Sequence, residues 1–288
     1  MRKFLYILFF LISALEAKPY NLCITAIFQN EAPYLKEWIE FHKLVGVQHF
    51  YLFNNLSTDE YEKVLQPYID SGEVELFQVP VTCKTGEEFY ALQDRIYTRA
   101  IRKSRKQTTW LAILDLDEFL FAVHEDNVAN FLNKNFKEYA GVRVNWQMYG
   151  TSNVASIPEG KLMIEQLVNR ARDRHPQHFY YKSIVRPECV FRGGIHASVY
   201  KPTFIEVNAI KQRMTDLKNG IHVKEIRINH YTTRDEAYYN SIKLPRLLAR
   251  DKSLSKPLLD KYKNELSEVY DTTILRFVPK LRKRMGYE

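Results

Sequence analysis

The stretch Trp110-Leu111-Ala112-Ile113-Leu114-Asp115-Leu116-Asp117-Glu118-Phe119-Leu120 joins an apolar run to a cluster of acids. The apolar run predicts a buried β-strand that ends at the acids. Period-two alternation would place Asp115 and Asp117 on the same side of the chain, with Glu118 beside them. Neighbouring carboxylates repel each other unless a cation or polar groups lie between them. A hard divalent cation such as Mg²⁺ or Mn²⁺, shared with phosphate oxygens, fits that position. The alternative is a solvated strand end that feeds a turn, although apolar residues flank the acids on both sides.

The composition indicates a folded protein with a positive net charge. The 288 residues allow one large domain or two small ones, and 42 basic against 34 acidic residues give a net charge of +8. This charge favours anionic partners such as nucleotide diphosphates or acidic lipid headgroups. No nucleic-acid-binding module is recognisable, so nucleic acid is not expected as a partner. Part of the charge forms a C-terminal basic tail, which is either a contact for membranes or an ordinary solvated helix end: Lys280, Arg282, Lys283 and Arg284.

The N-terminus has the features of an export signal. Arg2 and Lys3 precede an almost wholly apolar run over residues 4–15, and small residues then lead to Ala17. This pattern predicts a signal peptide over residues 1–17, and hence a protein of the secretory pathway or an exported one. The apolar run is shorter than the roughly 20 residues that span a bilayer. This length favours a cleaved signal over its alternative, a retained membrane anchor.

The cysteines do not have the spacing of a metal site. Cys23, Cys83 and Cys189 are the three in the chain. After export, the sequence is compatible with two states: one disulfide with one free thiol, or three buried thiols.

Strand and helix patterns alternate through the first half of the chain. Strands are predicted at 21–28, 49–53, 74–79 and 110–114, and helices at 34–45, 60–69 and 87–106. This alternation predicts an α/β fold with a mixed, mainly parallel and Rossmann-like sheet that helices flank. Ligands of such sheets bind at the carboxyl ends of the strands. Six polar residues fall at those ends: Asn30, Glu31, Asn54, Asn55, Asp115 and Asp117.

The first predicted helix is amphipathic. Its apolar residues share one face, which is expected to pack on the sheet, and its charged residues share the opposite face. The charged face consists of Lys36, Glu37, Glu40 and Lys43.

The second half of the chain is less regular. A helix is predicted at 128–136, and strands at 141–149, 179–185 and 226–231. Two further helices are predicted at 234–250, with Pro245 as a kink or break, and at 256–270. Because no repeat, low-complexity tract or linker is visible, residues 18–288 are predicted to form a single domain with a nucleotide half and an acceptor half.

Taken together, these residues give the chain a family resemblance. It resembles glycosyltransferases of the GT-A fold, in particular glycosyltransferase family 92 and the related family-2-like group. The matching stretches keep the order of the family from residue 21 to about residue 245. They are Gln29 to His42, Gly46 to Asp59, Leu114 to Leu120, Tyr181 to Pro187 and Asn229-His230-Tyr231, followed by a helix that carries Lys243.

The resemblance implies transfer of a sugar, with galactose as one candidate, from a nucleotide-sugar donor to a glycan or other hydroxyl acceptor. The donor it implies is UDP-linked, and the cofactor is Mn²⁺ or Mg²⁺. On this model Asp117 binds the metal directly, and Asp115 contacts the ribose or reaches the metal through water. His230 is a further contact to the metal or a phosphate, with an ordinary structural role as its alternative.

The resemblance also implies a set of donor-binding residues. Asn30 and Glu31 would line the pocket for the base and ribose, and Asn55 and Asp59 would assist, although helix capping explains Asp59 equally well. Lys182 and Lys243 are candidates for the diphosphate. For any single lysine, a solvated surface position is the alternative.

The general base is less clearly indicated. An inverting enzyme needs a carboxylate or imidazole on the acceptor hydroxyl. The candidates in the acceptor half are Glu159, Glu165, Asp173 and His196, of which His196 is taken with Asp117 as the catalytic pair. Trp146 and Tyr149 would stack on an acceptor sugar or pack in the core.

Two departures from the family pattern lie where the acceptor would bind. Arg234-Asp235-Glu236 stands where a serine is often expected, and Gln147-Met148-Tyr149-Gly150 replaces a small, glycine-rich segment. The competing hypotheses are a non-catalytic carbohydrate-binding protein on the same fold and a metal-dependent phosphodiesterase. The sequon Asn55-Leu56-Ser57 lies at the expected donor site and is expected to stay unmodified.

Overall fold

A mixed β-sheet forms the centre of the structure, a computed structural model that describes residues 17–214 and 220–287. Its strands, with those of two small ribbons, are β1 (Tyr20–Phe28), β2 (His49–Asn54), β3 (Val74–Gln78), β4 (Thr108–Ile113), β5 (Glu118–Ala122), β6 (Gly141–Met148), β7 (Asn169–Arg170), β8 (Tyr181–Val185), β9 (Val190–Arg192), β10 (Val199–Tyr200), β11 (Glu206–Asn208), β12 (Ile226–His230) and β13 (Val269–Tyr270).

The helices flank this sheet. They are α1 (Ala32–Leu44), α2 (Tyr61–Asp70), α3 (Gly86–Ser104), α4 (Val128–Phe136), α5 (Met163–Gln166), α6 (Glu236–Tyr238), α7 (Leu244–Arg250), α8 (Lys256–Glu265) and α9 (Val278–Met285). A π-helical turn at Tyr239–Lys243 joins α6 to α7, and 3₁₀ turns occur at Pro176–Phe179, Pro187–Cys189 and Thr273–Phe277.

The strand order confirms the predicted fold class. Eight strands follow the order β3-β2-β1-β4-β8-β6-β12-β5, and β11 pairs with β6 as the ninth strand of the sheet. The pairs β1–β2, β2–β3, β1–β4, β6–β11 and β6–β12 are parallel, whereas β4–β8, β6–β8 and β5–β12 are antiparallel. The sheet is therefore mixed and mainly parallel. The first seven strands and helices predicted along the chain lie within two residues of their observed bounds.

Helices pack on both faces of β1 because its residues alternate between two cores. Leu22 and Ile24 belong to the core that contains Trp38 of α1. Cys23 and Ile27 point to the opposite face and belong to the core that contains Ile96 of α3. A strand covered on both faces has a nearly continuous apolar sequence, as this one does.

The predicted solvent face of α1 is wrong at two positions. Glu37 and Glu40 are buried rather than solvated. Glu37 accepts hydrogen bonds from the backbone N–H groups of Met163 and Ile164 at the start of α5, at 2.8 and 3.1 Å. Glu40 forms an ion pair with Arg284 of α9. Segments more than 120 residues away along the chain cover this face, so the helical pattern alone could not reveal its burial.

The sequence did not predict β5, and this strand changes the geometry of the acids. β4 ends at Ile113, residues 114–117 form a turn, and β5 then runs antiparallel to β12. Period-two alternation does not apply within a turn. The expectation that alternation places Asp115 and Asp117 on one side of a strand is therefore wrong, and the two side chains have different partners.

Proline and long-range pairing change the last predicted helices. The helix predicted at 234–250 begins at Glu236 and contains the π-helical turn just before Pro245, which lacks an N–H group and interrupts regular α-helical bonding. The helix predicted at 256–270 ends at Glu265 because Val269 and Tyr270 form β13, which pairs with β7.

The C-terminal basic tail is largely paired within the molecule. Lys280 lies 3.1 Å from Asp126, Arg282 lies 3.0 Å from Glu165, and Arg284 lies 3.0 Å from Glu40. These ion pairs hold α9 against the sheet domain.

The cysteines and the N-terminal segment complete the description. Cys23, Cys83 and Cys189 are free thiols, and Cys23 and Cys189 are buried. Across residues 17–214 and 220–287, no helix has the length and apolar character to cross a membrane. The predicted signal segment lies outside these residues except for Ala17.

Candidate active site

Backbone contacts fix the acidic turn between β4 and β5. The N–H of Leu114 donates to the carbonyl of Thr25 at 3.1 Å, and the N–H of Tyr231 donates to the carbonyl of Asp117 at 2.8 Å. Within the turn, the N–H of Asp115 donates to the Glu118 carboxylate at 3.1 Å. The turn is thus attached to β1 on one side and to the end of β12 on the other.

The register of β5 on β12 brings a histidine to this turn. His230, the last residue of β12, is paired with Glu118, the first residue of β5. Its Nε2 lies 3.3 Å from Oδ1 of Asp117. Asp117, Glu118 and His230 each offer one ligand atom, and these atoms lie within 4.8 Å of one another. The predicted metal residues Asp117 and His230 therefore lie together, with Glu118 as a third member that the sequence prediction left out.

The donor set of this cluster fits a divalent cation. Oε1 of Glu118 and Nδ1 of His230 are buried and have no hydrogen-bond partner among the described residues. Burial raises the pKa of Glu118 well above its ordinary value, against the opposing effect of Lys182. Two carboxylates and an imidazole suit Mn²⁺ or Mg²⁺, and a cation there would compensate the burial of both carboxylates.

Asp115 is bound to a lysine instead of joining this cluster. Its Oδ2 lies 2.6 Å from Nζ of Lys182, a fully buried residue of β8 that also lies 3.6 Å from Glu118. Burial alone would lower the pKa of Lys182, but Asp115 and Glu118 hold it above its ordinary value. Lys182 is therefore a charged group at the site, and the alternative of a solvated lysine does not apply.

Asp117 is surrounded by positive charge. Burial favours its neutral form, but His230, Lys243 and Arg234 outweigh that effect and hold its pKa well below the ordinary range. Lys243 donates to the hydroxyl of Thr232 at 2.9 Å, and burial lowers its pKa. The predicted diphosphate ligands Lys182 and Lys243 thus lie on two sides of the acidic turn.

Arg234 is a site residue that the sequence prediction did not assign. Its guanidinium forms an ion pair with Glu31 and stacks between the rings of Tyr34 and Tyr238, at 3.7 and 4.4 Å from their centroids. The side chain is buried, and Nε and Nη1 have no hydrogen-bond partner among the described residues. The departure from the family pattern at Arg234 was the signal that could have drawn attention to it.

Asn30 and Asn55 hold the loops at the ends of β1 and β2. Asn30 accepts a hydrogen bond from the N–H of Thr58 at 2.7 Å, with its own backbone in the left-handed region at a φ of 56°. The amide of Asn55 donates to the carbonyls of Val79 and Val81, at 2.9 and 2.8 Å. Both side chains therefore shape the loops around the predicted base pocket, and the Asn55 side chain is buried.

Asp59 also has a structural partner. Its Oδ2 accepts a hydrogen bond from the N–H of Ala32 at 2.7 Å, at the first residue of α1. The residue therefore caps α1, rather than the helix that follows it in the sequence. This contact fixes the loop that carries Glu31.

The acceptor-side residues separate into three groups. His196 packs on Trp146 at 5.3 Å between ring centroids, and Trp146 packs on His230 at 4.4 Å. Glu165 and Asp173 are held by arginines, at 3.0 Å from Arg282 and 2.8 Å from Arg170, and Glu159 is exposed on a loop. His196 is therefore the one of the four predicted bases that contacts the rings around the acidic cluster.

Tyr149 is a core residue. It is fully buried, and its hydroxyl accepts a hydrogen bond from Arg227 at 3.2 Å. Of the two roles that the sequence left open for Tyr149, core packing is the one that the structure shows. Trp146 is also buried, but its ring lies against both histidines of the site.

The family model for glycosyltransferase family 92 matches residues 18–269, which is most of the chain. The chain belongs to glycosyltransferase family 92. The family resemblance read from the sequence is thereby confirmed.

Two curated relatives are similar in sequence to this chain. A family 92 protein of Ricinus communis is 26% identical over 221 residues, which cover 74% of this chain and 36% of the relative. The beta-1,4-galactosyltransferase galt-1 of Caenorhabditis elegans is 24% identical over 182 residues, which cover 61% of this chain and 41% of the relative. The chain thus spans less than half the length of these relatives.

Two solved structures are similar to this chain at a distance. TarS of S. aureus (residues 1–349) has a TM-score of 0.40 and 11% identity, with 82% of this chain and 67% of that chain covered. Glucosyl-3-phosphoglycerate synthase of Mycobacterium tuberculosis, crystallised with Mn²⁺ and UDP, has a TM-score of 0.32 and 13% identity over 62% of this chain and 60% of that one.

Proposed function

We propose that this chain is a metal-dependent glycosyltransferase that moves a sugar from a UDP-linked donor to a hydroxyl group of a glycan. The observation that carries the proposal is the cluster of the partly buried Asp117 with the buried Glu118 and His230, whose ligand atoms lie within 4.8 Å of one another. Membership of family 92 gives the reaction class. Cationic side chains beside an acidic metal site are what a nucleotide diphosphate requires.

The residues divide into three roles. Asp117, Glu118 and His230 would hold Mn²⁺ or Mg²⁺, which when bound would neutralise the diphosphate and the negative charge that develops on the departing nucleotide. Lys243 and Lys182 would add positive charge to the phosphate side. Asp115 would hold Lys182 in place, and Asn30, Asn55 and Glu31 would form the loops around the base and ribose.

His196 has the hydrogen bonding that a general base needs. Its Nδ1 lies 2.9 Å from the carbonyl of Tyr181, which can only accept, so Nδ1 carries the proton. In the neutral ring Nε2 then has a free lone pair. Burial, together with the charge of Lys182, lowers the pKa of His196 and keeps the ring neutral. We propose that Nε2 accepts the proton of the acceptor hydroxyl.

The donor sugar and the location are further parts of the proposal. Because one relative is a galactosyltransferase, UDP-galactose is the first donor to test. The basic and apolar character of residues 2–15 supports a protein that acts in the secretory pathway or after export, with a retained membrane anchor as the alternative.

The test is the release of UDP from a panel of UDP-sugars in the presence of Mn²⁺ and simple sugar acceptors. We expect release from at least one donor, and we expect His196→Gln to lower the acceptor-dependent rate by roughly 100-fold or more. His124→Gln, at an exposed histidine, is the matched control. If the protein binds UDP but releases none from any UDP-sugar, the non-catalytic carbohydrate-binding protein is favoured instead.

A further inference from the structure

A groove of about 1050 Å³ runs along the outer face of α3, between the loop that follows β3 and the strand β9. Its lining includes Lys84 from the loop, Arg95, Arg99 and Arg102 from the helix, and Arg192 with Phe191 from β9. The three helix residues are four and three positions apart, so they lie along one face of α3. None of these residues belongs to the candidate active site.

The positive charge of this arginine groove is not neutralised. None of its five cations lies within ion-pair distance of a carboxylate in the described part of the chain, in contrast to the basic tail. Arg99 stacks on the ring of Phe77 at 5.0 Å, which orients its guanidinium without compensating its charge.

Two acids line the groove, and they leave it positive. Glu88 accepts a hydrogen bond from the N–H of Lys84 at 2.6 Å and is thus engaged at the start of α3. Asp94 lies beside the Gly193-Gly194 segment that follows β9, with its Oδ1 3.6 Å from where a Cβ on Gly194 would be. Five cations against these two acids give the lining a net positive charge.

The walls of the groove lead to the candidate active site. The carbonyl of Val81, in the loop wall, accepts a hydrogen bond from Asn55. The other wall continues from Arg192 through Gly193 and Gly194 to His196, the proposed base. Gly193 fits closely on α3, since a Cβ at this position would lie 2.9 Å from the backbone of Tyr97. A ligand in the groove would therefore lie beside the segment that positions His196.

We propose that the arginine groove binds an anionic glycan, whose sulfate, phosphate or carboxylate groups pair with the guanidinium groups. Arginine suits such groups because its planar N–H donors bind them in pairs. Phe191 is 64% exposed and offers an aromatic face on which a sugar ring can stack. The inference that this glycan is the acceptor rests on the proposed function. The inference that the glycan binds in the groove is independent of that function.

The experiment measures binding of a fluorescent heparin-derived hexasaccharide by anisotropy, without donor or metal. Arg95→Gln with Arg192→Gln removes one cation from α3 and one from the β9 wall. Lys280→Gln with Lys283→Gln, on the exposed tail, removes the same total charge elsewhere. We expect the groove variant to weaken binding by about tenfold or more, and the tail variant to change it less than twofold. Circular dichroism of both variants checks that they fold.

The outcomes separate the groove from its alternatives. Equal weakening by both double variants would overturn the proposal, because the effect would then be one of total charge. Failure of the hexasaccharide to bind would also overturn it, and so would tighter binding of a single-stranded oligonucleotide of equal charge. UDP binding with Mn²⁺, measured on the same variants, is expected to be unchanged. If the wild-type protein does not bind UDP, the proposed function is contradicted, and the result on glycan binding still stands.

Discussion

At the scale of single residues, the three acids of the turn have separate roles. Asp117 faces His230, whereas Asp115 faces Lys182, and Glu118 lies between the two. The sequence analysis placed Asp115 and Asp117 on the same side of a strand. It assigned Asp117 as the direct metal ligand and Asp115 to the ribose, or to the metal through water. The geometry instead makes Asp115 a positioning residue for Lys182.

This difference predicts unequal effects on metal binding. Asp117→Asn removes a proposed ligand, so we expect Mn²⁺ affinity to fall by more than about 100-fold, whereas Asp115→Asn should cost about tenfold, as expected for a residue outside the ligand set. Calorimetric titration of Mn²⁺ into each variant measures both. Equal losses would place Asp115 among the ligands.

The candidate site was partly predictable from the sequence. Asp117 was predicted from its position at the end of an apolar strand pattern, whereas His230, Lys182 and Lys243 were implied by the family resemblance. Arg234 and Glu118 were missed because their roles depend on burial and on partners distant in sequence, such as Glu31 for Arg234. Asn55 was assigned to the nucleotide, but its amide is occupied by two backbone carbonyls.

At the scale of elements, α1 shows where pattern reasoning reaches its limit. Its apolar face was predicted and packs on the sheet. Its charged face is covered by α5 and α9, and Glu37 accepts two backbone hydrogen bonds there. An amphipathic pattern identifies the face that packs first, but it carries no information about later elements that cover the other face.

The buried Glu37 predicts a pH dependence of stability. Burial raises its pKa from 4.5 to about 7, against the opposing effect of the two backbone N–H groups. Between these values the folded state holds a proton that the unfolded state has released, so the free energy of unfolding falls as pH rises. The loss is complete above the folded-state pKa and amounts to ~3 kcal/mol.

Urea unfolding of the wild-type protein and of Glu37→Gln between about pH 5 and 8 checks this prediction. We expect the wild type to lose stability relative to Glu37→Gln across that range. Glu138→Gln, at an exposed glutamate, serves as the control and should follow the wild type. The prediction is contradicted if the free energy of unfolding changes with pH in the same way in the wild type and in Glu37→Gln.

At the scale of the whole molecule, one sheet connects the first and second halves of the chain. β4 of the first half pairs with β8 of the second, and α9 returns to pack on α1. The alternating first half was predictable because each strand and helix has its own local pattern. The second half was harder, because β5, β11 and β13 are short strands that exist through pairing with distant partners.

This architecture predicts that residues 18–288 unfold in one transition. Tryptophan fluorescence and far-ultraviolet circular dichroism should give coincident urea curves, as expected for a single cooperative unit. Leu281→Ala, at a fully buried position of α9, should lower the free energy of unfolding by about 2–5 kcal/mol and shift both curves together. Lys283→Ala, on the exposed face of the same helix, should change it by less than ~0.5 kcal/mol. Separate transitions in the two signals would contradict the single domain.

The most direct test of the proposed activity is calorimetric titration of UDP into the protein, in Mn²⁺ and in EDTA, with Asp117→Asn measured alongside. We expect saturable binding of UDP in Mn²⁺, and its loss both in EDTA and in the variant, because the cation held by Asp117, Glu118 and His230 would contact the diphosphate. UDP binding that is equally strong in EDTA or in Asp117→Asn would contradict a metal-bridged donor site, and the absence of binding under every condition would contradict a UDP-linked donor.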